Sequence, residues 1–142
     1  MRKLALSDEI LLSIQQPARY IGGEVNMVVK DPSKVDVRFA MCFPDVYEIG
    51  MSHLGMQILY DFFNRRDDIY CERVYSPWTD LDKIMREKEI PLFSLESQSP
   101  IKEFDFLGIT LQYEMCYTNI LQILDLSQIP LHACDRTEAD PI

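Results

Sequence analysis

Two stretches of the chain hold the side chains from which chemistry would be built. Residues 44–55 read PDVYEIGMSHLG and carry Asp45, Tyr47, Glu48, Ser52 and His53, together with Gly50 and Gly55. Asp45 and Glu48 are the residue types of a proton-exchanging carboxylate pair, although spacing within a loop does not set their contacts. Ser52 or His53, at the start of a following helix, would face an anionic or phosphate-bearing ligand with free backbone amides behind it. The alternative makes Ser52 a helix cap and His53 a solvated first-turn residue. Residues 112–119, QYEMCYTN, add the hydrogen-bonding groups and aromatic faces of Gln112, Tyr113, Glu114, Tyr117 and Asn119 near a second helix start. Glu114 there reads equally as a favourable first-turn charge.

Other routes to chemistry are thin. The chain has no GxGxxG, no GxxxxGK[ST] and no nucleophile elbow. Gly22-Gly23 would cradle a phosphate only if it followed a buried strand and opened a helix; it does neither, and reads as a hairpin turn. Cys42, Cys71, Cys116 and Cys134 are scattered without a CxxC pair, so reduced and mostly buried thiols are expected rather than a zinc or iron–sulfur site. His132 stands alone in a polar tail and receives no role.

The elements that position the two stretches follow from periodicity. Residues 35–43 (VDVRFAMCF) are apolar except for Asp36 and Arg38, as in a parallel strand covered on both faces, and Pro44 ends the run. Met51, Leu54, Ile58, Leu59, Phe62 and Phe63 then recur at helical steps up to Asn64. The strand, loop and helix form the unit from which cofactor-binding α/β domains are built. Around it the pattern predicts strands over 69–75, 90–95 and 106–111, with charged Glu72 and Arg73 suggesting an edge or half-exposed place for the first of these. Helices are predicted from Thr79-Asp80-Leu81-Asp82 and from Glu114 towards Leu124, with a brief helical turn after Ser99-Pro100. A short strand over 25–29 and a peripheral helix capped by Ser7 and ended by Pro17 complete the reading. The expected architecture is a Rossmann-like, doubly wound, mainly parallel sheet with right-handed crossovers and a site at the carboxyl ends of its strands. Residues 1–34 form an arm and residues 35–142 the domain. The closing Asp140-Pro141-Ile142 looks like the lead into another strand, so the chain reads as a piece of a larger protein, its sheet truncated before the last strand or strands.

The 142 residues suit one domain, and 47% hydrophobic with 26% charged content is that of a globular protein. A formal net charge of −9 without a basic cluster argues against nonspecific nucleic-acid binding. No apolar run approaches a membrane span, and the first residues lack a signal-peptide core, so a cytoplasmic protein without a membrane partner is expected.

The runs PARYIGGE, FPDVYEIGMSHLGMQILY, CERVYSPW, PLFSLES and FDFLGITLQYEMCYTNIL together resemble the N-terminal region of bacterial radical S-adenosylmethionine (radical SAM) proteins with a cobalamin-binding-like domain. The resemblance covers nearly the whole chain from about Leu11. It implies a Rossmann-like domain, cobalamin as its cofactor, and as partner a radical SAM barrel of the same polypeptide whose CxxxCxxC motif holds a 4Fe-4S cluster. That motif is absent here, so cluster, S-adenosylmethionine and catalysis belong to the full-length enzyme. Cobalamin domains with a histidine cobalt ligand carry DxHxxG; residues 45–50 keep that frame from Asp45 to Gly50 with Tyr47 in the histidine position, and His53 lies nearby. Radical SAM relatives often bind cobalamin without a protein histidine ligand, so the resemblance keeps the frame compatible with the cofactor. The SxL element of such domains falls near 110–113, where this chain has Thr110-Leu111-Gln112, and the GG pair would lie beyond Ile142. The resemblance thus implies cofactor contacts by Asp45, Tyr47, Gly50, Ser52, His53, Gly55, Gln112 and Tyr113. A Rossmann-like domain that has lost the cofactor and docks other parts of the protein is the alternative; a flavodoxin-like flavin binder lacks a phosphate loop.

Overall fold

The computed structural model describes residues 5–142; the first four residues of the arm lie outside it. Three strands, β1 (Val37–Phe43), β2 (Ile69–Tyr75) and β3 (Phe106–Ile109), form a sheet of order β2-β1-β3 in which both pairings are parallel. Helix α4 (Leu54–Asn64) connects β1 to β2, and α5 (Thr79–Glu87) lies between β2 and β3. Helix α6 (Tyr117–Leu126) follows β3. Short helices α1 (Asp8–Ser13), α2 (Ala18–Ile21) and α3 (Tyr47–Gly50) complete the set. The architecture is a parallel α/β sheet flanked by helices, as the periodicity predicts.

Strand alternation splits β1 between two cores. Met41 and Phe43 join Met56 and Tyr60 of α4 with Cys71, Tyr75 and Leu95 on one face. Ala40 and Cys42 join Val74, Leu81, Met85, Ile123 and Leu124 on the other, so α5 and α6 cover the face opposite α4. Leu6, Ile10 and Ile14 are buried in that second core. The N-terminal helix is therefore a packed element, not a peripheral arm; its Ser7 cap accepts from the Ile10 N–H at 3.4 Å.

Three local expectations change. Residues 25–29 and 90–95 form no strand. The second of these instead runs as a loop along β2, held by the Leu95 N–H donating to the Arg73 carbonyl at 2.8 Å and by one isolated bridge between Phe93 and Pro100. β2 does lie at the end of the sheet, but it is buried from Tyr70 to Tyr75, Glu72 and Arg73 included. The covering loop is the reason. Glu72 accepts from Arg38 Nη2 at 2.9 Å, from Ser94 Oγ at 2.7 Å and from the Ser97 N–H at 2.9 Å. Glu96 takes the Arg73 N–H and Nε, both at 2.6 Å. Paired and hydrogen-bonded on both partners, these charges tolerate burial. Cys42, Cys71 and Cys116 are buried and Cys134 is exposed; burial pushes the Cys42 and Cys71 thiols above their usual range.

Candidate functional site

The order β2-β1-β3 sends the chain from β1 to one side and then, through β2 and α5, back to the other. The carboxyl ends of β1 and β3 therefore diverge into loops at a topological switch point, where parallel sheets place their ligands. Residues 44–53 leave β1 there and residues 110–116 leave β3. The two loops meet. The Tyr113 hydroxyl donates to Asp45 Oδ2 at 3.2 Å, and Asn119 Nδ2 donates to the Pro44 carbonyl at 2.8 Å. The Thr110 N–H donates to the Cys42 carbonyl at 3.0 Å, holding the root of the second loop against β1. Asp45 Oδ1 also accepts its neighbour's amide, Val46 N–H, at 2.7 Å, which fixes the carboxylate. Hydrogen bonding with Cys116 and with Asp45 holds the Tyr113 phenol above its ordinary pKa, so it remains a donor at neutral pH. Around this pair Leu111, Met115 and Tyr117 are exposed, giving an apolar rim beside a polar bridge.

The remaining residues singled out in the sequence take other places. Tyr47, in the histidine position of the DxHxxG frame, is the first residue of α3 and packs edge-on against Tyr75 with ring centroids 5.4 Å apart. Its hydroxyl donates to Glu24, and burial together with that bond pushes its pKa up to about 12. A phenol held in that form is a poor metal ligand. Glu24 also pairs with Arg73 Nη1 at 2.5 Å, and Arg73 pairs with Glu96. Tyr47 thus ends a chain of charges on the β2 side of the sheet, beside a cavity of about 500 Å³ lined by Glu24, Tyr47, Met51, Tyr60 and Arg73.

Gly50 is buried where α3 meets the sheet. A Cβ there would come within 2.5 Å of the Tyr75 ring and 2.9 Å of Phe43, so glycine is needed for close packing. Ser52 is exposed and donates to the Ile49 carbonyl at 3.1 Å. The cap of α4 is His53, whose Nδ1 accepts from the Met56 N–H at 3.3 Å while its ring leans on Phe43. A Cβ on Gly55 would meet His53 Cε1 at 3.0 Å. Gln112 is exposed in the loop beyond β3. Of the eight residues, then, the structure joins Asp45 and Tyr113 between the β1 and β3 loops, and places Tyr47 and Gly50 in packing against Tyr75. Among the described residues no group of three or more His, Cys, Asp or Glu side chains is arranged to hold a metal ion.

Sequence reasoning missed Glu24, Arg73 and Glu96. The Glu72-Arg73 pair inside an otherwise apolar strand was the available signal: charges in a run that must be buried announce buried partners elsewhere.

A parallel α/β domain whose β1 and β3 loops meet at a topological switch point belongs to a class of fold that commonly binds ligands there, and the family comparison narrows it. The family model for radical SAM proteins, N-terminal, matches residues 55–142. The chain belongs to this family, the N-terminal domains of radical SAM proteins. The match starts at Gly55, after the loop that carries Asp45 and Tyr47. No curated protein and no solved structure matches the chain. No helix among the described residues is long and apolar enough to cross a membrane.

Proposed function

We propose that this chain is the cobalamin-binding-type N-terminal domain of a radical SAM enzyme, and that the crevice between the β1 and β3 loops holds the corrinoid. The observation that carries this reading is the Tyr113–Asp45 hydrogen bond, which joins the two loops at the switch point. A corrinoid presents an apolar ring fringed by amides, and the crevice offers matching groups. Asp45, Tyr113 and Asn119 would engage the amide fringe, and Leu111, Met115 and Tyr117 the ring. Bound there, cobalamin would supply group-transfer chemistry at cobalt to the rest of the enzyme. The chain itself would orient the group and shield one side of it. With Tyr47 turned to Glu24 and His53 Nδ1 engaged by the Met56 N–H, no protein ligand to cobalt is assigned.

The catalytic barrel, with its 4Fe-4S cluster and S-adenosylmethionine, would lie elsewhere in the same polypeptide and be the domain's partner; the enzyme would work in the cytoplasm. A second reading, a cofactor-free domain that docks other parts of the protein, draws on one specific observation: the frame position reserved for a ligand is committed to the Glu24–Arg73 ion network. The two separate on the full-length protein, expressed with cobalamin supplied and desalted. Retained corrinoid bands in the visible spectrum support the first; their absence with the cluster intact leaves the second. Tyr47→Phe and His53→Ala are expected to leave the spectrum unchanged, since the Tyr47 hydroxyl is bonded to Glu24 and His53 Nδ1 caps α4.

A further inference from the structure

Arg19 of α2 and Arg73 of β2 line one hollow of about 20 Å³, bounded by α2, β2, α5 and residues 92–95. Each guanidinium is partly engaged. Arg19 Nε pairs with Glu48 Oε1 at 2.6 Å, and the group lies over the Trp78 ring, 5.5 Å from its centroid. Arg73 Nε pairs with Glu96 at 2.6 Å and Nη1 with Glu24 at 2.5 Å. Arg19 Nη1 and Arg73 Nη2 are also buried, and neither has a hydrogen-bond partner among the described residues. The Arg73 side chain is only 7% exposed. A buried charged donor left unsatisfied is costly, so both nitrogens call for an acceptor.

The hollow sets the size of that acceptor and the lining sets its kind. About 20 Å³ admits one particle of roughly the size of a water and no organic molecule. Guanidinium nitrogens only donate. Of the side-chain oxygens in the lining, that of Tyr20 already accepts the Trp78 N–H at 3.0 Å, and the other is the hydroxyl of Tyr75, which burial keeps protonated. Leu81, Met85 and Phe93, on the apolar walls, offer no side-chain acceptor. Donors therefore outnumber acceptors. A water would find its own hydrogens poorly matched, whereas a monoatomic anion needs donors alone.

We propose that this hollow binds a single halide-class anion, chloride in the cell, between Arg19 Nη1 and Arg73 Nη2, and that the anion ties α2 to β2. Charge balance gives the site a pH dependence. Glu24, Glu48 and Glu96 already pair with the two cations, so an added anion brings surplus negative charge unless one carboxyl takes a proton. Glu96 meets that need: burial raises its pKa to about 7 against the pull of Arg73, and the neighbouring Glu72, itself paired with Arg38, acts in the same upward sense. The other groups facing it, Cys71 and Tyr75 of β2 and Tyr60 of α4, are held protonated by burial. The anion and the Glu96 proton thus bind together, and the site is tighter below pH 7 than above it. It shares no residue with the Tyr113–Asp45 bridge, so it stands or falls apart from the corrinoid reading.

Thermal unfolding in chloride and in gluconate at equal ionic strength tests it, gluconate being too large for the hollow. The Arg19→Gln variant, which lacks one of the two donors, carries only the general effects of the salts and serves as the baseline. Relative to that baseline, chloride is expected to raise the parent midpoint by about 3 °C or more at pH 6 and by less at pH 8. Glu48→Gln, which releases Arg19 from its carboxylate, should enlarge the chloride effect; it serves as the comparison if Arg19→Gln does not fold. In crystals grown with bromide, an anomalous-scattering peak is expected between the two guanidinium groups. A chloride effect equal in parent and Arg19→Gln, or not enlarged by Glu48→Gln, would overturn the proposal. So would density at the hollow without anomalous signal, which would make the guest a water.

Discussion

The Tyr113 hydroxyl donates to the Asp45 carboxylate at 3.2 Å across 68 residues of sequence, closing the loops of β1 and β3 on each other. The bond lies at the surface, where a hydrogen bond to a charged group contributes little to stability because water replaces it. Its value is positional. Tyr113→Phe is expected to leave the urea midpoint nearly unchanged while the full-length protein retains several-fold less corrinoid after desalting. Equal retention by parent and variant would detach this bridge from cofactor binding.

Gly50→Ala should destabilise the domain by about 1–3 kcal/mol, because an inserted methyl in a packed core forces its neighbours to shift. The methyl would lie 2.5 Å from the Tyr75 ring. Gly55→Ala, whose methyl meets only the edge of the His53 ring at 3.0 Å, is expected to cost less. Urea titrations of both variants give the ranking, and the reverse order would refute the packing role assigned to Gly50.

His53→Ala should cost about 1 kcal/mol through loss of the α4 cap, and His53→Ser should restore most of it, since a hydroxyl accepts the same Met56 N–H. Thermal unfolding of the two variants separates a cap from any other role: a serine as damaging as an alanine would exclude the cap.

Glu96 gives the fold a pH dependence. Burial raises its pKa from the usual carboxylate value of 4.5 to about 7, against the opposing pull of Arg73. A carboxyl with a raised folded pKa binds its proton more tightly in the folded chain. Its stabilising contribution is therefore complete below about 4.5 and is lost as the pH rises through about 7. Stability should fall across that window by roughly 1 kcal/mol per unit of pKa difference. The Glu96→Gln variant should lose this slope while keeping a hydrogen-bond acceptor for Arg73. Chemical denaturation at pH 5, 6 and 7 measures it, and a parent as flat as the variant would remove Glu96 as the cause.

How much of this was legible in the sequence depended on whether a signal was local. Apolar periodicity located β1, α4 and β2 because burial of one face or both is written into consecutive residues. Residues 90–95 failed for the same reason: PLFSL is apolar because it lies in the core, but its backbone bonds go to Arg73, Leu126 and Ser99 one at a time, so no ladder forms. Tyr47 was legible as a frame position and illegible as a contact. Its partner Glu24 lies in a segment without period, and nothing in the residues between them points one to the other. Asp45 and Tyr113 were each visible as loop residues beyond a strand; their meeting required the strand order, which periodicity does not give.

The placement of the four cysteines makes the protein its own unfolding gauge. An alkylating reagent meets the Cys134 thiol in the folded chain, whereas Cys42, Cys71 and Cys116 are sealed in the core and react only in molecules that have opened. Counting labels by mass thus separates intact from opened molecules, with one adduct against four. Variants that loosen only the β1 loop should keep the count at one, whereas loosening the loop after β3, which carries Cys116, should raise it to two.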